Sequence, residues 1–285
     1  MQHKKTVIIT DSTCDLSDQQ LLDYGIHMIP LRVICKNAEY RDRIEIQPEE
    51  LYGIMENELP KTSLPQPEDI MSLLDELVEK GVEEAVYFGI SSGLSGTSQL
   101  MKMMAASYEA RLKLHVVDSF TLSMALGMMV LEAAKTLEAG GTVEQVIEAA
   151  MTVRNNQTSV FVIRTLEFLR KGGRIGKVEG MLGNILQLKP VIFVNDDGIY
   201  ETIAKARGYK NALETMVQEL VNRFGKKKIN LSVVHGRAYE EAQRMLERLK
   251  GSLTIAEAYI RPASPVLAIH TGPGLLGVIA NAVVE

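Results

Sequence analysis

The sequence predicts an α/β protein made of two α/β domains, the first around a mainly parallel sheet and the second around a mixed one. Three observations carry the prediction. Short aliphatic runs alternate with helix-length segments through the first half, the pattern of βαβ units. Asp196-Asp197-Gly198 separates two apolar runs in the second half and marks an antiparallel hairpin. Loops rich in glycine, serine and threonine recur where strands are expected to end, the edge at which open α/β sheets collect ligands.

In the first half, strands are expected at 7–10, 29–34, 85–90 and 114–117, each a short run dominated by aliphatic residues. Helical spacing predicts helices at 18–24, 48–57, 67–79, 95–109, 121–138 and 142–155. The apolar stretch 120–134 is too short to span a membrane and runs into Glu132 and Lys135, so it reads as a buried helix. In the second half, strands are expected at 160–163, 190–194, 199–204, 230–234, 253–258 and 266–270. Helices are expected at 165–171, 209–224, 239–249 and 274–283. The polar run Arg154-Asn155-Asn156-Gln157 divides the chain into an N-terminal domain, 1–157, and a C-terminal domain, 158–285.

A chain of 285 residues, 46% hydrophobic and 24% charged, has the composition of an ordinary soluble protein. Net charge is −5 and the only dense cationic run is Lys226-Lys227-Lys228, so no nucleic-acid partner is expected. The lack of tryptophan and 5% aromatic content argue against a stacking site for bases or sugars. Cys14 and Cys35 form no CxxC pair, which points to a reducing, cytoplasmic setting. The N-terminus has no long apolar region before its first expected strand, so neither a signal peptide nor integral membrane contact is expected. Among 14 methionines, Met101, Met103, Met104, Met124, Met128, Met129 and Met151 suit either an adaptable cavity or plain core packing.

Gly89-Ile90-Ser91-Ser92-Gly93-Leu94-Ser95-Gly96-Thr97 follows an apolar strand and opens a helix. Its backbone N–H groups, hydroxyls and helix dipole suit an anion. A turn with Ser95 as helix cap explains the same residues, and the two readings stay open. The spacing lacks the lysine of a P-loop and the register of a nucleophile elbow. Lys61-Thr62-Ser63-Leu64-Pro65 brings two further hydroxyls, and Asp11-Ser12-Thr13 and Asp118-Ser119 follow strands as caps or as walls of a site. No third ligand has matching spacing, so no metal is expected. In Phe168-Leu169-Arg170-Lys171-Gly172-Gly173-Arg174-Ile175-Gly176, Gly172 is expected to stop a helix in the left-handed conformation. Arg170 there faces either solvent or an anionic headgroup. His270-Thr271-Gly272-Pro273-Gly274 is expected to end a strand and open the last helix, with His270 as a turn residue or a carboxylate donor.

These stretches, together with Asp11-Ser12-Thr13-Cys14-Asp15-Leu16 and Val117-Asp118-Ser119, occur in an order that resembles the DegV family along essentially the full length. The resemblance implies a fatty acid lying at the junction of two α/β domains. It implies a lipid-binding protein and no enzyme, with the fatty acid as ligand and no cofactor. In the family the threonine of Thr-Ser-x-Pro and the serine before Gly-Thr bind the carboxylate, which are Thr62 and Ser95 here. Ser63, Ser92, Gly93, Gly96, Arg170 and His270 are implied in the headgroup's vicinity. The better-studied members are fatty-acid-binding subunits of a bacterial fatty acid kinase. The implied partner is therefore a kinase subunit of the dihydroxyacetone-kinase-like type that forms acyl phosphate, in lipid transport or fatty acid metabolism. Where the family often reads Thr-Ser-x-Pro-Ser, this chain has Gln66. Two other readings compete: a serine hydrolase or acyltransferase using Ser95 with His270 as base, and a phosphate- or sugar-binding module.

Overall fold

The computed structural model describes residues 5–181 and 188–283. Chain order begins with β1 (Thr6–Asp11), a 3₁₀ turn (Ser12–Cys14) and α1 (Asp18–Asp23), which opens on a capping box between Ser17 and Gln20. There follow β2 (His27–Ile29), β3 (Arg32–Ile34), β4 (Glu39–Arg41), α2 (Pro48–Met55) and β5 (Lys61–Ser63). The first half closes with α3 (Pro67–Glu79), β6 (Glu84–Gly89), α4 (Thr97–Tyr108), β7 (Lys113–Asp118), α5 (Ser123–Glu138) and α6 (Val143–Asn156). Strands pair in the order β2-β1-β6-β7 as an all-parallel sheet. A separate antiparallel sheet has the order β4-β3-β5. The single strand expected at 29–34 is thus two strands of different sheets, parted at Pro30, which has no N–H to give a ladder. The Thr62 segment, read from sequence as a loop, is β5, with Thr62 opposite Val33.

The second half contains β8 (Gln157–Val162), α7 (Glu167–Lys171), a 3₁₀ segment (Gly176–Met181), β9 (Leu188–Val194) and β10 (Tyr200–Arg207). Then come α8 (Tyr209–Phe224), β11 (Lys228–His235), α9 (Tyr239–Lys250), β12 (Thr254–Pro262), α10 (Pro265–Thr271) and β13 (Leu276–Ala282). The order β10-β9-β8-β13-β11-β12 is a mixed sheet in which β11 and β12 run parallel and the other pairs antiparallel. The expected hairpin joins β9 to β10.

Two expectations reverse. Residues 266–270 are helical, within α10, and the segment 274–283 contains β13. Ser264-Pro265 is a helix start, with proline at the first helical position. β13 is buried on both faces between β8 and β11, so it shows no alternation, and an apolar run without alternation reads equally as a buried helix. His270 therefore stands near the end of a helix, not a strand.

The elements stack in layers. α3 and α4 cover the outer face of the parallel sheet through Ile70, Leu74, Leu77, Met101 and Tyr108 against Ile9 and Tyr87. α5 lies between the two large sheets, touching β1 and β6 on one side and β8, β11 and β13 on the other. Every residue from Ser123 to Leu131 is buried, as such a position requires. α8 and α9 cover the far face of the mixed sheet with Met216, Leu220, Leu246 and Leu249. Met124, Met128 and Met129 are core side chains of α5 and Met103 faces solvent, so these methionines pack the core or decorate the surface. No helix among the described residues is long and apolar enough to cross a membrane.

Candidate functional site

The site forms at the C-terminal edge of the parallel sheet. At the end of β1, buried Asp11 accepts from the backbone N–H and hydroxyl of Thr13, from the Tyr87 hydroxyl at 2.8 Å and from Ile90 N–H at 2.8 Å. Burial pushes the Asp11 carboxyl up from its usual range, and the four donors pull the other way. Asp11 thereby ties the turn after β1 to the loop after β6. After β7, Asp118 accepts from Ser92 N–H at 3.2 Å and Phe120 N–H at 3.0 Å, which fixes that loop from its other side. Ser91 Oγ donates to Gly198 O at 2.8 Å and joins the loop to the β9–β10 turn. A Cβ on Gly198 would fall 2.0 Å from that hydroxyl oxygen, and its φ is +73°, so this turn requires glycine.

α4 begins at Thr97 with Gly96 as its cap, so Ser95 is not the helix cap. Instead Ser95 Oγ bonds to Thr97 Oγ1 at 2.8 Å and stays on the wall of a cavity of about 230 Å³. Thr13, Thr62, Ser63, Ser95, Arg174 and His270 supply its polar wall, and Leu31, Leu64, Leu94 and Val266 part of its apolar wall. Leu122, Tyr200 and Leu267 line both this chamber and a narrower inner one of about 40 Å³. The inner chamber lies between α5 and the mixed sheet and is lined by Phe161, Val234, Leu275, Gly277 and Ile279. Phe161 and Tyr200 meet edge to face, ring centres 5.1 Å apart, on the wall of the inner chamber.

His270 Nε2 and Thr62 Oγ1 are 2.9 Å apart. His270 Nδ1 is buried with no hydrogen-bond partner among the described residues. An orphaned buried acceptor is tolerated better than an orphaned N–H, so the proton belongs on Nε2, which then donates to Thr62. That leaves the Thr62 hydroxyl hydrogen free to point at a ligand anion. Burial, aided by the nearby Arg174 cation, pushes the His270 pKa down to about 4, so the ring is uncharged at neutral pH. A Cβ on Gly172 would lie 2.1 Å from His270 Nδ1, so a glycine at this position lets the end of α7 close over the ring.

Of the residues singled out by sequence, Thr62, Ser63, Ser95 and His270 are brought together on one cavity. Ser92, Gly93 and Gly96 are not on its wall: Ser92 is held by Asp118, Gly93 packs on Ile199, and Gly96 stands beside Leu64. Arg170 also falls outside, exposed on α7, and Arg174 takes the cavity position. The reason lies in the glycine pair. Gly172 keeps a helical φ of −77°, and Gly173, at φ +71°, is the left-handed residue that turns the chain back. Arg174 follows that reversal, donating from Nη1 to Gly172 O at 2.6 Å and from Nε to Leu94 O at 3.3 Å. Tyr200 belongs to no motif; Arg174 stands in the 168–176 stretch, where its place just after a turn-forming glycine is what sets it apart from Arg170.

The wall presents hydroxyl donors, one cation and a neutral imidazole to an anion, and the chamber that shares Leu122, Tyr200 and Leu267 with it offers hydrocarbon surroundings. Ser95 is bonded to Thr97 and His270 to Thr62, so the pair a serine hydrolase needs is not in contact. Among the described residues no group of three His, Cys, Asp or Glu side chains is placed to hold a metal.

A family model described as uncharacterised protein, DegV family, matches residues 5–282. A DegV domain-containing protein of Clostridium perfringens is 37% identical over 275 residues, covering 96% of this chain and 98% of that protein. The structure of a fatty-acid-binding DegV family protein from Thermus thermophilus superposes with a TM-score of 0.88 at 34% identity, covering 98% of this chain and 100% of that one. A protein from Eubacterium ventriosum described as binding stearic acid superposes with a TM-score of 0.85 at 25% identity, covering 96% and 97%.

Proposed function

The chain belongs to the DegV family, and from that premise we propose that it binds one long-chain fatty acid, with Thr62 and Ser95 holding the carboxylate. The observation that carries the reading is the pair of adjoining chambers that share Leu122, Tyr200 and Leu267, one walled by hydroxyls and the next by aliphatic and aromatic side chains. The fatty-acid-binding relatives support it. A palmitate-like tail, taken as an example, buries about 14 methylenes at ~0.8 kcal/mol each, roughly 11 kcal/mol before the costs of association. Two hydroxyl hydrogen bonds to the carboxylate contribute about 1.5–3 kcal/mol each and fix which end of the lipid faces out.

The reading extends to what the headgroup is for. Neutral donors leave the carboxylate nucleophilic, so a partner kinase that brings ATP and metal can transfer a phosphoryl group to it. Arg174, on the chamber wall, would stabilise the added charge of the acyl phosphate. On this reading the chain is a binding subunit and no enzyme. It works in a reducing cytoplasm with Cys14 and Cys35 as free thiols, and its two units divide near residue 157. Extraction of the purified protein followed by mass spectrometry tests the reading: one equivalent of long-chain fatty acid is expected. Recovery of a sugar phosphate, or of no lipid after saturation with palmitate, would sink it.

A further inference from the structure

We propose that Asp42 and Asp15 are positioning residues for the headgroup chamber: by holding the first turn of α10 they set where His270 stands and how Thr62 is presented. The proposal rests on the fatty-acid reading for its ligand readout only. α10 has seven residues and ends in the site, with Val266, Leu267 and His270 on the chamber wall. A helix this short does not hold itself; its place is set by what its ends bind.

The local sequence provides a cap that the fold does not use. Ser264 is the N-cap residue, yet its side chain makes no cap bond to the first turn of the helix. Two carboxylates from the other half of the chain replace it. Ser264 N–H donates to Asp15 Oδ1 at 2.9 Å and Val266 N–H donates to Asp42 Oδ1 at 3.2 Å. These contacts bridge 249 and 224 residues of sequence.

Asp42 directly follows β4, and Thr62 lies on β5 of the same small sheet. The helix is therefore tied to one rigid platform at both ends, by Asp42 to Val266 at the front and by Thr62 to His270 at the back. Asp15 ties the same helix turn to α5: Ser123 Oγ donates to Asp15 Oδ2, and Ser123 starts the helix next to Leu122, which lines both chambers. Asp15 and Ser123 both hold positive φ, 51° and 58°, a conformation that costs energy and persists where surroundings enforce it. Neither carboxyl lines either chamber, so neither touches the ligand. Arg43 is the cation beside both, with Arg261 also near Asp15, and burial still pushes Asp42 up to about 7 and Asp15 up to about 6. Keeping two carboxyls at such a burial cost marks a geometric task.

The test is a double-mutant cycle read by fluorescent fatty-acid titration. Asp42→Ala is expected to weaken binding about tenfold in the wild-type background and less than about twofold in a Thr62→Ala background, because both changes break the same tie. Asp42→Asn, which keeps an acceptor for Val266 N–H, restores affinity to within about threefold. In ligand-free protein the imidazole nitrogen resonances of His270 are expected to move in Asp42→Ala and to stay in Asp42→Asn. Should Asp42→Ala not fold, Asp42→Ser, too short to reach Val266, carries the same comparison. Additive losses in the cycle, or unmoved His270 resonances in a folded variant, overturn the proposal. If wild-type protein binds no fatty acid, the functional reading falls while the resonance arm still decides the positioning role.

Discussion

The outer and inner chambers of the cavity are built by opposite means. At the outer end, Thr13, Thr62, Ser95, Arg174 and His270 come from five separate stretches of chain, and hydrogen bonds such as those of Asp11 hold the loops in register. At the inner end, Phe161, Val234, Gly277 and Ile279 come from neighbouring strands of one sheet and face α5. Polar recognition needs atoms placed to within a few tenths of an ångström, so it recruits many anchored elements. Apolar retention needs only excluded water and matched volume, so one sheet face and one helix suffice. On the proposed fatty-acid reading, the outer end sets orientation and chemistry and the inner end sets how long the lipid stays.

That contrast can be broken from either side. The largest effect is expected from filling the inner chamber. At Gly277 a Cβ would stand 3.4 Å from Phe161 Cβ, ordinary contact, so Gly277→Val adds methyls to the chamber without displacing backbone. Displacing three or four methylenes of the tail costs about 3 kcal/mol, so affinity should fall by about 100-fold. A fluorescent fatty-acid titration on protein with an unchanged melting curve checks this, and undiminished affinity would show that the tail lies elsewhere. A smaller loss is expected at the outer end. Thr62→Ala removes one hydroxyl donor and should weaken binding by about 1–3 kcal/mol, and Ser95→Ala should do likewise. Isothermal titration with a short- and a long-chain acid sharpens the comparison: the loss in kcal/mol should be the same for both, because the headgroup contact does not depend on tail length. The smallest effects separate two neighbouring arginines. Arg174→Gln should weaken binding severalfold, whereas Arg170→Gln, exposed on α7, should leave it unchanged; equal effects would remove Arg174 from its assigned place.

The parallel sheet of the first half and its helices were readable because their signals are local. Val7 to Thr10 and Ala85 to Phe88 are short aliphatic runs flanked by helices with clear amphipathic spacing, and those patterns survive any packing. The last stretch, from Pro265 on, was not, because α10 and β13 are both buried nearly throughout and so lack a polar face to set a period. The site divides along the same line. Thr62 and Ser95 were found in short loops of unusual composition, but their partners were assigned differently by space. The sequence leaves Ser95 open between helix cap and anion site; the helix begins two residues later, leaving its hydroxyl on the cavity.

By itself the sequence determined the α/β class, the hairpin at Asp196-Asp197-Gly198 and the hydroxyl-rich loops, each resting on residues close together in the chain, and the family, resting on several such stretches in order. Only the tertiary structure decided that His270 sits on a helix, that it meets Thr62 across 208 residues, and that Arg174 in place of Arg170 reaches the cavity. The physical reason is common to all three. Which way a side chain finally points depends on a left-handed glycine, a borrowed helix cap or a strand closed in on both faces, and none of these leaves a period in the sequence.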